Sequence, residues 1–321
     1  MNCPVCLSPG TVRQSLAGTD FFFETTQKNF DYRSCANCRC LYIEPIPHNE
    51  ELEHFYPANY WWSASPGVLK SLESVYRRVA LRDHLAFIDR ASRTLHRTRP
   101  IRLLDVGCGS GTLLGVLRRK GFDAIGFDAS RDAAALAKSN HNVDVVTGWR
   151  LQDGNFADGA FDIVTLFHVV EHVAEPRDLL GEVRRLLRSR GKVILQVPNI
   201  DSWQFKICGV RWHGLDSPRH VINYSSQSVR QLLANCRFRV CRIRHFNLRD
   251  NAPALASSLF PSLDPIRRSV RQRRTGYVEP AFARWGRHAL YLAAVAAAYP
   301  FAIAESLAGA GATVMIEAEK V

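Results

Sequence analysis

The segment that follows the first predicted strand carries a glycine-rich turn that could hold a nucleoside. Gly107, Gly109 and Gly111 stand at alternate positions after Asp105, which closes that strand. Glycine permits a tight turn and lets the backbone approach a ligand closely, while the first amide groups of the following helix remain free to meet it. The second predicted strand ends at Asp128, whose carboxylate could accept both hydroxyls of a ribose.

The spacing of these glycines separates two kinds of cofactor. Dinucleotide sites use G-x-G-x-x-G, whereas this turn reads G-x-G-x-G and has Thr112 in place of the last glycine. The carboxylate of Asp105 would attract the amino group of a methionyl moiety and would repel a phosphate. We therefore expect S-adenosylmethionine (SAM). A nicotinamide dinucleotide, or a turn that only packs strand against helix, is the alternative.

Two C-x2-C pairs near the start of the chain predict a metal site. Each pair places two thiolates on a tight turn, which is half of a tetrahedral zinc site, and four thiolates leave no open position for catalysis. We expect a structural Zn²⁺ ion, with Cys40 as a further candidate ligand and four free or redox-active thiols as the alternative. A β-hairpin is expected between the pairs, with Phe21–Phe23 and Tyr32 as strand residues. The predicted ligands are Cys3, Cys6, Cys35 and Cys38.

The elements that must position these residues follow from hydrophobic patterning. Short apolar, β-branched runs alternate with helical stretches between residues 101 and 200, which indicates βαβ units and a parallel sheet with both faces covered. A helix is expected within residues 68–97, and another at 226–235. The predicted strands are 102–106, 124–127, 143–147, 162–169, 192–197, 239–246 and 312–319.

The block from Phe156 to Asn199 resembles class I SAM-dependent methyltransferases. The similar branch includes ubiquinone-biosynthesis O-methyltransferases and many sugar methyltransferases, whose block reads FD-x-V, EHV-x-x-P, RLL and GG, then a strand and PN. Here Lys192 replaces the second glycine. The resemblance covers about residues 100–245 and the last strand. It implies an α/β fold, a doubly wound, seven-stranded, mostly parallel Rossmann-like sheet whose last strand is antiparallel. Some sugar C-methyltransferases have a similar N-terminal zinc module, so we expect a small zinc-ribbon-like module here.

The same resemblance implies roles around the cofactor. The ribose would be held by Asp128, with Ala129 beside it. The adenine would lie near Leu151, and the nearest acidic residue in that loop is Asp153. Phe167 and His168 would face the sulfonium. The methionine end would be lined by Asp105, Gly107, Cys108, Gly109 and Gly111.

Methyl transfer to a hydroxyl needs a base, and histidine suits that role near neutral pH. His220 lies in a loop at the carboxyl edge of the predicted sheet, where related methyltransferases often carry a histidine, and is the preferred base or substrate contact. His168 is a second candidate, as a base or as a residue that positions the backbone. His172 is expected to bond locally at a helix start. Trp203, Trp212 and Tyr224 could stack on a ring-shaped acceptor or simply pack.

Composition excludes several classes of protein and favours an anionic partner. With 321 residues, 46% of them hydrophobic and 22% charged, the chain is neither disordered, collagen-like nor a heptad rod. Lys and Arg outnumber Asp and Glu by 42 to 30, a net charge of +12. The basic run 267–274 precedes a stretch at 289–307 that is expected as a helix broken near Pro300. The longest apolar run, 289–304, is interrupted by Pro300 and is too short to span a bilayer. This segment is either a peripheral membrane contact or a lid or covering helix; nucleic acid is not favoured, because no RNA-binding motif accompanies the charge.

Nine cysteines without a signal-peptide pattern favour a reducing, cytoplasmic compartment, with contact at the inner membrane face as an addition. The predicted parts are a zinc-binding module at 1–60, a helical linker or cap at 61–100, and a methyltransferase domain at 101–321 with a basic and apolar insertion at about 250–310. The expected function is SAM-dependent methylation of an oxygen or carbon of a small acceptor, with a nucleotide- or lipid-linked sugar preferred. The alternatives are a phenol or quinone-precursor O-methyltransferase and a zinc-ribbon binding protein whose methyltransferase fold is inactive.

Overall fold

The computed structural model describes residues 2–9, 12–56, 81–95, 99–277 and 279–321. The helix predicted over 68–97 is therefore seen only in its second half, because residues 57–80 lie outside the described ranges. The N-terminal elements are β1 (Val12–Thr19), β2 (Asn29–Cys35), β3 (Leu41–Ile43), α1 (Asn49–His54) and α2 (Arg82–Arg93).

The remaining elements alternate between strand and helix, as the patterning predicts, until a run of helices precedes the last strand. They are β4 (Arg102–Val106), α3 (Thr112–Arg119), β5 (Asp123–Asp128), α4 (Arg131–His141), β6 (Val145–Thr147), β7 (Phe161–Phe167), α5 (Pro176–Leu186), β8 (Leu187–Pro198), α6 (Trp203–Cys208), β9 (Ile222–Asn223), α7 (Ser226–Asn235), β10 (Phe238–Arg244), α8 (Asn251–Leu259), α9 (Pro265–Thr275), α10 (Ala281–Leu307) and β11 (Thr313–Lys320).

The larger sheet has seven strands in the order β10–β11–β8–β7–β4–β5–β6. Strands β4 to β8 pair in parallel, and β11 is antiparallel to both β8 and β10. Side chains alternate between the two faces of the sheet, so Leu103 packs with α3 on one face while Leu104 packs with α5 on the other. The predicted doubly wound, mostly parallel Rossmann-like α/β fold with an antiparallel last strand is confirmed.

The cysteine-bearing N-terminal part forms a second sheet, ordered β1–β2–β3–β9. The hairpin of β1 and β2 confirms the expected arm, and Tyr32 is a strand residue. The expectation that Phe21–Phe23 are strand residues is wrong, because they form a turn. Asp20 causes that turn, since its carboxylate accepts hydrogen bonds from the backbone amides of Phe23 at 3.2 Å and Thr25 at 2.6 Å. Strand β9 comes from the later part of the chain, so the two sheets are joined covalently and by pairing.

A buried ion cluster fastens the two sheets together. The Arg219 side chain is 0% exposed and donates to Asp20 Oδ1 and Asp216 Oδ1, both at 2.7 Å. The guanidinium also lies over the ring of Phe23, 4.6 Å from its centroid, and donates to the carbonyl of Phe55 at 2.9 Å. These contacts satisfy a charge that would otherwise be expensive to bury.

Helix α10 runs without interruption through Pro300, so the expected break there is wrong. Ala298 and Ala302 are buried on either side of the proline against Ala252 and Leu255 of α8, and this packing holds both halves in line. The helix also extends further toward its N-terminus than the apolar run did. By length and composition alone it could cross a bilayer, which the shorter predicted stretch could not.

Replacing Asp20 should destabilise the fold strongly. The change Asp20→Ala leaves the buried Arg219 charge short of a partner, which costs about 3–5 kcal/mol of unfolding free energy. The control Asp201→Ala removes the partner of Arg39 in a more exposed pair, 2.8 Å apart, with 49% and 30% of the side chains exposed. That change should cost less than about 1 kcal/mol. Urea unfolding followed by circular dichroism measures both, and equal losses would contradict the role given to Arg219.

Candidate active site

The glycine-rich turn links β4 to α3 and is held against β5 and β7. The Gly107 amide donates to the Phe127 carbonyl at 2.8 Å. A Cβ at Gly107, where φ is +69°, would lie 2.5 Å from Val169 Cγ2, so the close approach of the two loops requires glycine. At Gly109 a Cβ would meet nothing within 4 Å. The turn is therefore packed at Gly107 and open at Gly109, as a ligand-binding backbone must be.

Asp128 ends β5 and is bonded to the same turn. Its carboxylate accepts hydrogen bonds from the Gly109 amide at 2.8 Å and from the Ser130 amide at 2.9 Å. Burial raises the pKa of Asp128, and these backbone bonds oppose the rise. Ala129 follows and is exposed. The open glycine and the acidic group predicted for the ribose thus share one rim of the sheet.

Asp105 lies beneath the turn and is 4% exposed. Its carboxylate accepts a hydrogen bond from Thr165 Oγ1 of β7 at 2.6 Å. Burial raises its pKa to about 7, and the charge of Asp128 adds to that rise although the Thr165 bond opposes it. A cationic amino group placed beside Asp105 would favour the ionised carboxylate. Cys108 is half-buried, and burial raises the pKa of its thiol.

The loop after β6, predicted to meet the adenine, contains one buried and one exposed candidate residue. Leu151 is buried in the core, and Asp153 is exposed and accepts a hydrogen bond from the Arg150 amide at 2.9 Å. Neither the burial of Leu151 nor the hydrogen bond of Asp153 concerns a cofactor, so the roles of these two residues stay predictions. Trp149 of the same loop is 59% exposed and offers a flat surface that the sequence pattern did not single out.

His168 follows β7 and lies between two carboxylates. It has a positive φ of 57°, and its ring nitrogens lie 3.1 Å from Glu171 Oε1 and 3.3 Å from Asp250 Oδ2. Burial alone would lower the pKa of His168, but the charges of Asp250 and Glu171 outweigh it and raise the pKa to about 9. A protonated imidazole cannot accept a proton, so this geometry favours the positioning role over the base role. Phe167 packs edge-on against His84, with ring centroids 4.3 Å apart.

Asp250 was missed by sequence reasoning because it lies 82 residues beyond His168, in the segment that was expected as a membrane contact, a lid or a covering helix. It also accepts a hydrogen bond from Gln196 Nε2 of β8 at 2.7 Å. The charge of Arg249 and the charged His168 lower the pKa of Asp250 although burial opposes them. No spacing pattern could have paired these two residues; only the fold brings them together.

His220, His172 and Glu171 form a buried cluster whose possible ligand atoms all lie within 4.8 Å of one another. His220 Nδ1 donates to the Gly214 carbonyl at 2.9 Å, which leaves its Nε2 with a lone pair. His172 Nδ1 lies 3.0 Å from the Arg219 carbonyl and 2.9 Å from the Tyr56 hydroxyl. Burial lowers the pKa of His220, and it lowers the pKa of His172 to about 4 with help from the neighbouring His220.

Glu171 is the anion at the centre of these imidazoles. Its pKa is lowered, since the interactions with His168 outweigh the effect of burial. Its Oε1 is bonded to His168, while among the described residues Oε2 has no hydrogen-bond partner. The cluster thus combines one buried carboxylate with two imidazoles of lowered pKa, and the carboxylate also bonds to the His168 imidazole. Val169, which packs against Gly107, connects it directly to the glycine turn.

Of the aromatic candidates, Trp212 and Tyr224 are buried and pack in the core. Trp203 is partly exposed and lies against Phe301 of α10, with ring centroids 5.9 Å apart. These positions agree with the packing alternative rather than with stacking on an acceptor.

The two C-x2-C pairs meet at one end of the smaller sheet. Thiolates bound to one zinc ion at about 2.3 Å stand roughly 3.8 Å apart in a tetrahedron. The Sγ atoms of Cys3 and Cys38, and those of Cys6 and Cys35, are each 3.6 Å apart, and all four lie within 4.8 Å. Cys40 Sγ is also close, 3.5 Å from Cys3 Sγ. The four predicted residues fit a tetrahedral site, and Cys40 stays a further candidate.

Comparison with known proteins agrees with this arrangement. A family model described as a methyltransferase domain matches residues 75–242, more than half of the chain. The chain therefore belongs to the methyltransferase-domain family, and SAM is the cofactor that the glycine turn and Asp128 fit.

Particular relatives are ubiquinone biosynthesis O-methyltransferases. The mitochondrial protein of Schizosaccharomyces pombe is 30% identical over 154 residues, which cover 45% of this chain and 53% of that protein. The protein of Methylococcus capsulatus is 29% identical over 189 residues, which cover 56% of this chain and 75% of that protein. The chain thus spans about half the length of the first of these relatives. A solved SAM-dependent methyltransferase from Archaeoglobus fulgidus is 16% identical, covering 79% of this chain and 100% of that chain with a TM-score of 0.47.

Strand β5 offers a matched pair of carboxylates that tests the ribose contact. Asp128 ends the strand at the glycine turn, whereas Asp123 begins it and pairs with exposed Arg102 at 3.2 Å. Replacing Asp128 by Ala removes a charged acceptor and should weaken SAM binding at least about tenfold. The change Asp123→Ala should leave the dissociation constant unchanged. Calorimetric titration with SAM measures both, and unaltered binding by Asp128→Ala would exclude the ribose role.

Proposed function

We propose that this protein is a SAM-dependent O-methyltransferase whose acceptor is a small phenol of the quinone-precursor type. The observation that carries the proposal is the His220 imidazole, whose Nδ1 donates to Gly214 and leaves Nε2 as the acceptor, in a buried cluster with Glu171 and His172. Val169, two residues before Glu171, packs against Gly107 of the glycine turn. A base and the SAM cleft stand on adjoining loops at the carboxyl edge of one sheet, where ligands of such folds bind.

Bound SAM supplies an electrophilic methyl group on a sulfonium. In the proposed mechanism Asp128 holds the ribose, and the open backbone at Gly109 admits the nucleoside. His220 Nε2 takes the proton of the acceptor hydroxyl as the methyl group is transferred. His168 with Asp250 and Glu171 has a net charge of one negative unit, which complements the positive sulfonium. His168 is thus proposed as a positioning residue and Phe167 as a wall of the same cleft.

The lowered basicity of His220 favours an acceptor with an acidic hydroxyl. Burial keeps the pKa of His220 below its usual value, so this imidazole removes a proton more readily from a phenol than from a less acidic sugar hydroxyl. The curated relatives bear names that specify ubiquinone biosynthesis and O-methylation. The preferred sugar acceptor has no support among them, and the phenol alternative therefore becomes the proposal. A carbon acceptor and the inactive-fold alternative are not favoured either.

We also propose that residues 1–60 bind one structural Zn²⁺ ion and support the acceptor side of the cleft. The support is the hydrogen bond between the Tyr56 hydroxyl and His172, together with the Arg219 cluster. Residues 101–321 would form the catalytic domain, with the insertion at about 250–310 represented by α8, α9 and α10. Free thiols suit a reducing cytoplasmic compartment. The proposed partner is a small, lipid-linked acceptor met at the inner membrane face, not a nucleic acid.

Removing the imidazole of His220 should abolish catalysis without abolishing cofactor binding. We expect His220→Ala to lower kcat by about 10²–10⁴-fold on a soluble catechol. The dissociation constant for SAM should stay within a factor of about two, because His220 does not touch the glycine turn. In the parent protein, kcat/KM should rise with pH through the lowered pKa of His220, since the base must be unprotonated. It should then stay flat from neutrality up to the pKa of about 9 at which His168 loses its charge.

The change His172→Ala is the matched comparison for His220→Ala, because it removes the neighbouring imidazole and leaves the proposed base in place. Full turnover by His220→Ala, or a pH profile that does not rise between acid pH and neutrality, would remove His220 as the base. Failure of the parent protein to bind SAM at all would instead favour the inactive-fold alternative.

Metal analysis tests the N-terminal module separately. The purified protein should contain one zinc ion per chain, and Cys38→Ser should lose it and unfold the N-terminal sheet. The control Cys241→Ser alters an exposed thiol outside the cluster and should retain full zinc. The change Cys40→Ser should also retain zinc. A metal-free protein that still binds SAM, or loss of zinc from Cys40→Ser alone, would refute the predicted ligand set.

A further inference from the structure

An unusual share of the exposed apolar surface lies in the segment that separates β10 from β11. Fifteen large apolar side chains are exposed in the described ranges, and ten of them fall between residues 259 and 307. Scattered apolar side chains are normal on a protein surface, but a contiguous group marks an interaction site. These ten are Leu259, Phe260, Ile266, Tyr277, Phe282, Trp285, Leu290, Leu292, Ile303 and Leu307.

Helix α10 shows how this surface is built, because it is apolar on two faces. One face is turned to the protein, where Val295 and Ala298 pack on α8. On the same face the Tyr291 hydroxyl is hydrogen-bonded to Ser257, and Glu305 accepts a hydrogen bond from Gln204 at 2.6 Å. Another face is exposed over the whole length of the helix, with residues spaced by three or four. Its members are Phe282, Trp285, Ala289, Leu292, Ala296, Pro300, Ile303 and Leu307. We call these eight residues the outer stripe.

The outer stripe is long and is bordered by positive charge. The helix has 27 residues. At about 1.5 Å per residue such a helix extends for roughly 40 Å. Residues 261–288 hold seven arginines against Asp264 and Glu279, a net charge of +5. Among them Arg271 and Arg273 on α9, and Arg284 and Arg287 on α10, are exposed.

We propose that the outer stripe, with the arginines around it, is a docking surface for the face of an anionic phospholipid bilayer. An apolar stripe beside clustered arginines has the composition of a helix that lies in the membrane interface. Anionic headgroups complement the +5 charge of the segment, whereas a second copy of this chain would bring the same charge against it. The chemistry therefore favours lipid over self-association.

The packed face of α10 determines whether the helix lies on a membrane or spans it. Tyr299 donates to the Leu248 carbonyl at 2.9 Å, and Arg268 binds Glu279 and His288 near the other end. These contacts hold the helix along the body of the protein, so lipid cannot surround it. The helix therefore rests on the membrane, although its length alone would let it span one.

The same segment begins at the active site. Asp250, which directly precedes α8, lies 3.3 Å from His168, and α8 packs against α10. A membrane-bound stripe would thus place the catalytic cleft near the lipid surface. The link to a lipid-linked acceptor rests on the proposed function, whereas the docking surface does not.

Vesicle flotation of the full chain tests the proposal. The probes are vesicles of phosphatidylcholine with and without phosphatidylglycerol, at low and high salt. The parent chain should float with the anionic vesicles. High salt should weaken this binding, because screening reduces the attraction between the arginines and the headgroups. The double change Phe282→Ser with Leu292→Ser should weaken binding at least about tenfold per side chain. The double change Arg271→Gln with Arg273→Gln should weaken it about fivefold per arginine.

Two controls match these changes. Arg118→Gln with Arg119→Gln removes two exposed arginines of α3, and Val321→Ser removes an exposed apolar side chain at the C-terminus. Both should float like the parent chain, and all variants should titrate normally with SAM. Binding of the parent chain only to other copies of itself, or full flotation of the Phe282 and Leu292 variant, would overturn the docking surface. Loss of SAM binding with intact flotation would count against the proposed function alone.

Discussion

The guanidinium of Arg219 is the constraint on which the arrangement of the site depends. It is fully buried between Asp20 of the N-terminal sheet and Asp216 of the loop before β9. A charge at such depth is tolerated only when its partners are in place, so the N-terminal sheet must dock for the loop to be stable. The next residue is His220, and the Arg219 carbonyl lies against His172. The ion cluster that joins the sheets therefore also sets the two neutral imidazoles of the site.

The charges of the site divide the histidines into two kinds. The carboxylates of Asp250 and Glu171 raise the pKa of His168 to about 9, whereas burial lowers the pKa values of His172 and His220. A charged imidazole can orient the carboxylates beside it, and only a neutral one can accept a proton. Roles that were interchangeable in the sequence are thus separated by burial and by neighbouring charge.

Local patterning was sufficient to predict the sheet and the cofactor rim. Short apolar, β-branched runs defined the strands, and the glycines and Asp128 follow directly from strand ends, so their neighbourhood needs no long-range information. Three features escaped this reasoning because they depend on contacts distant in sequence. Asp20 turns Phe21–Phe23 out of the strand, and α8 keeps α10 straight through Pro300. Asp250 reaches His168 from a segment that lies far beyond it in the sequence. The two C-x2-C pairs were recognisable because the members of each pair are close in sequence.

The central claim is that the ends of β4, β5 and β7 form one cleft for SAM. A crystal structure with bound S-adenosylhomocysteine tests this most directly. The account predicts both ribose hydroxyls at about 3 Å from the Asp128 carboxylate, with the sulfur directed toward His168. Density for the ligand elsewhere, or a cleft filled by side chains at Gly109, would contradict it.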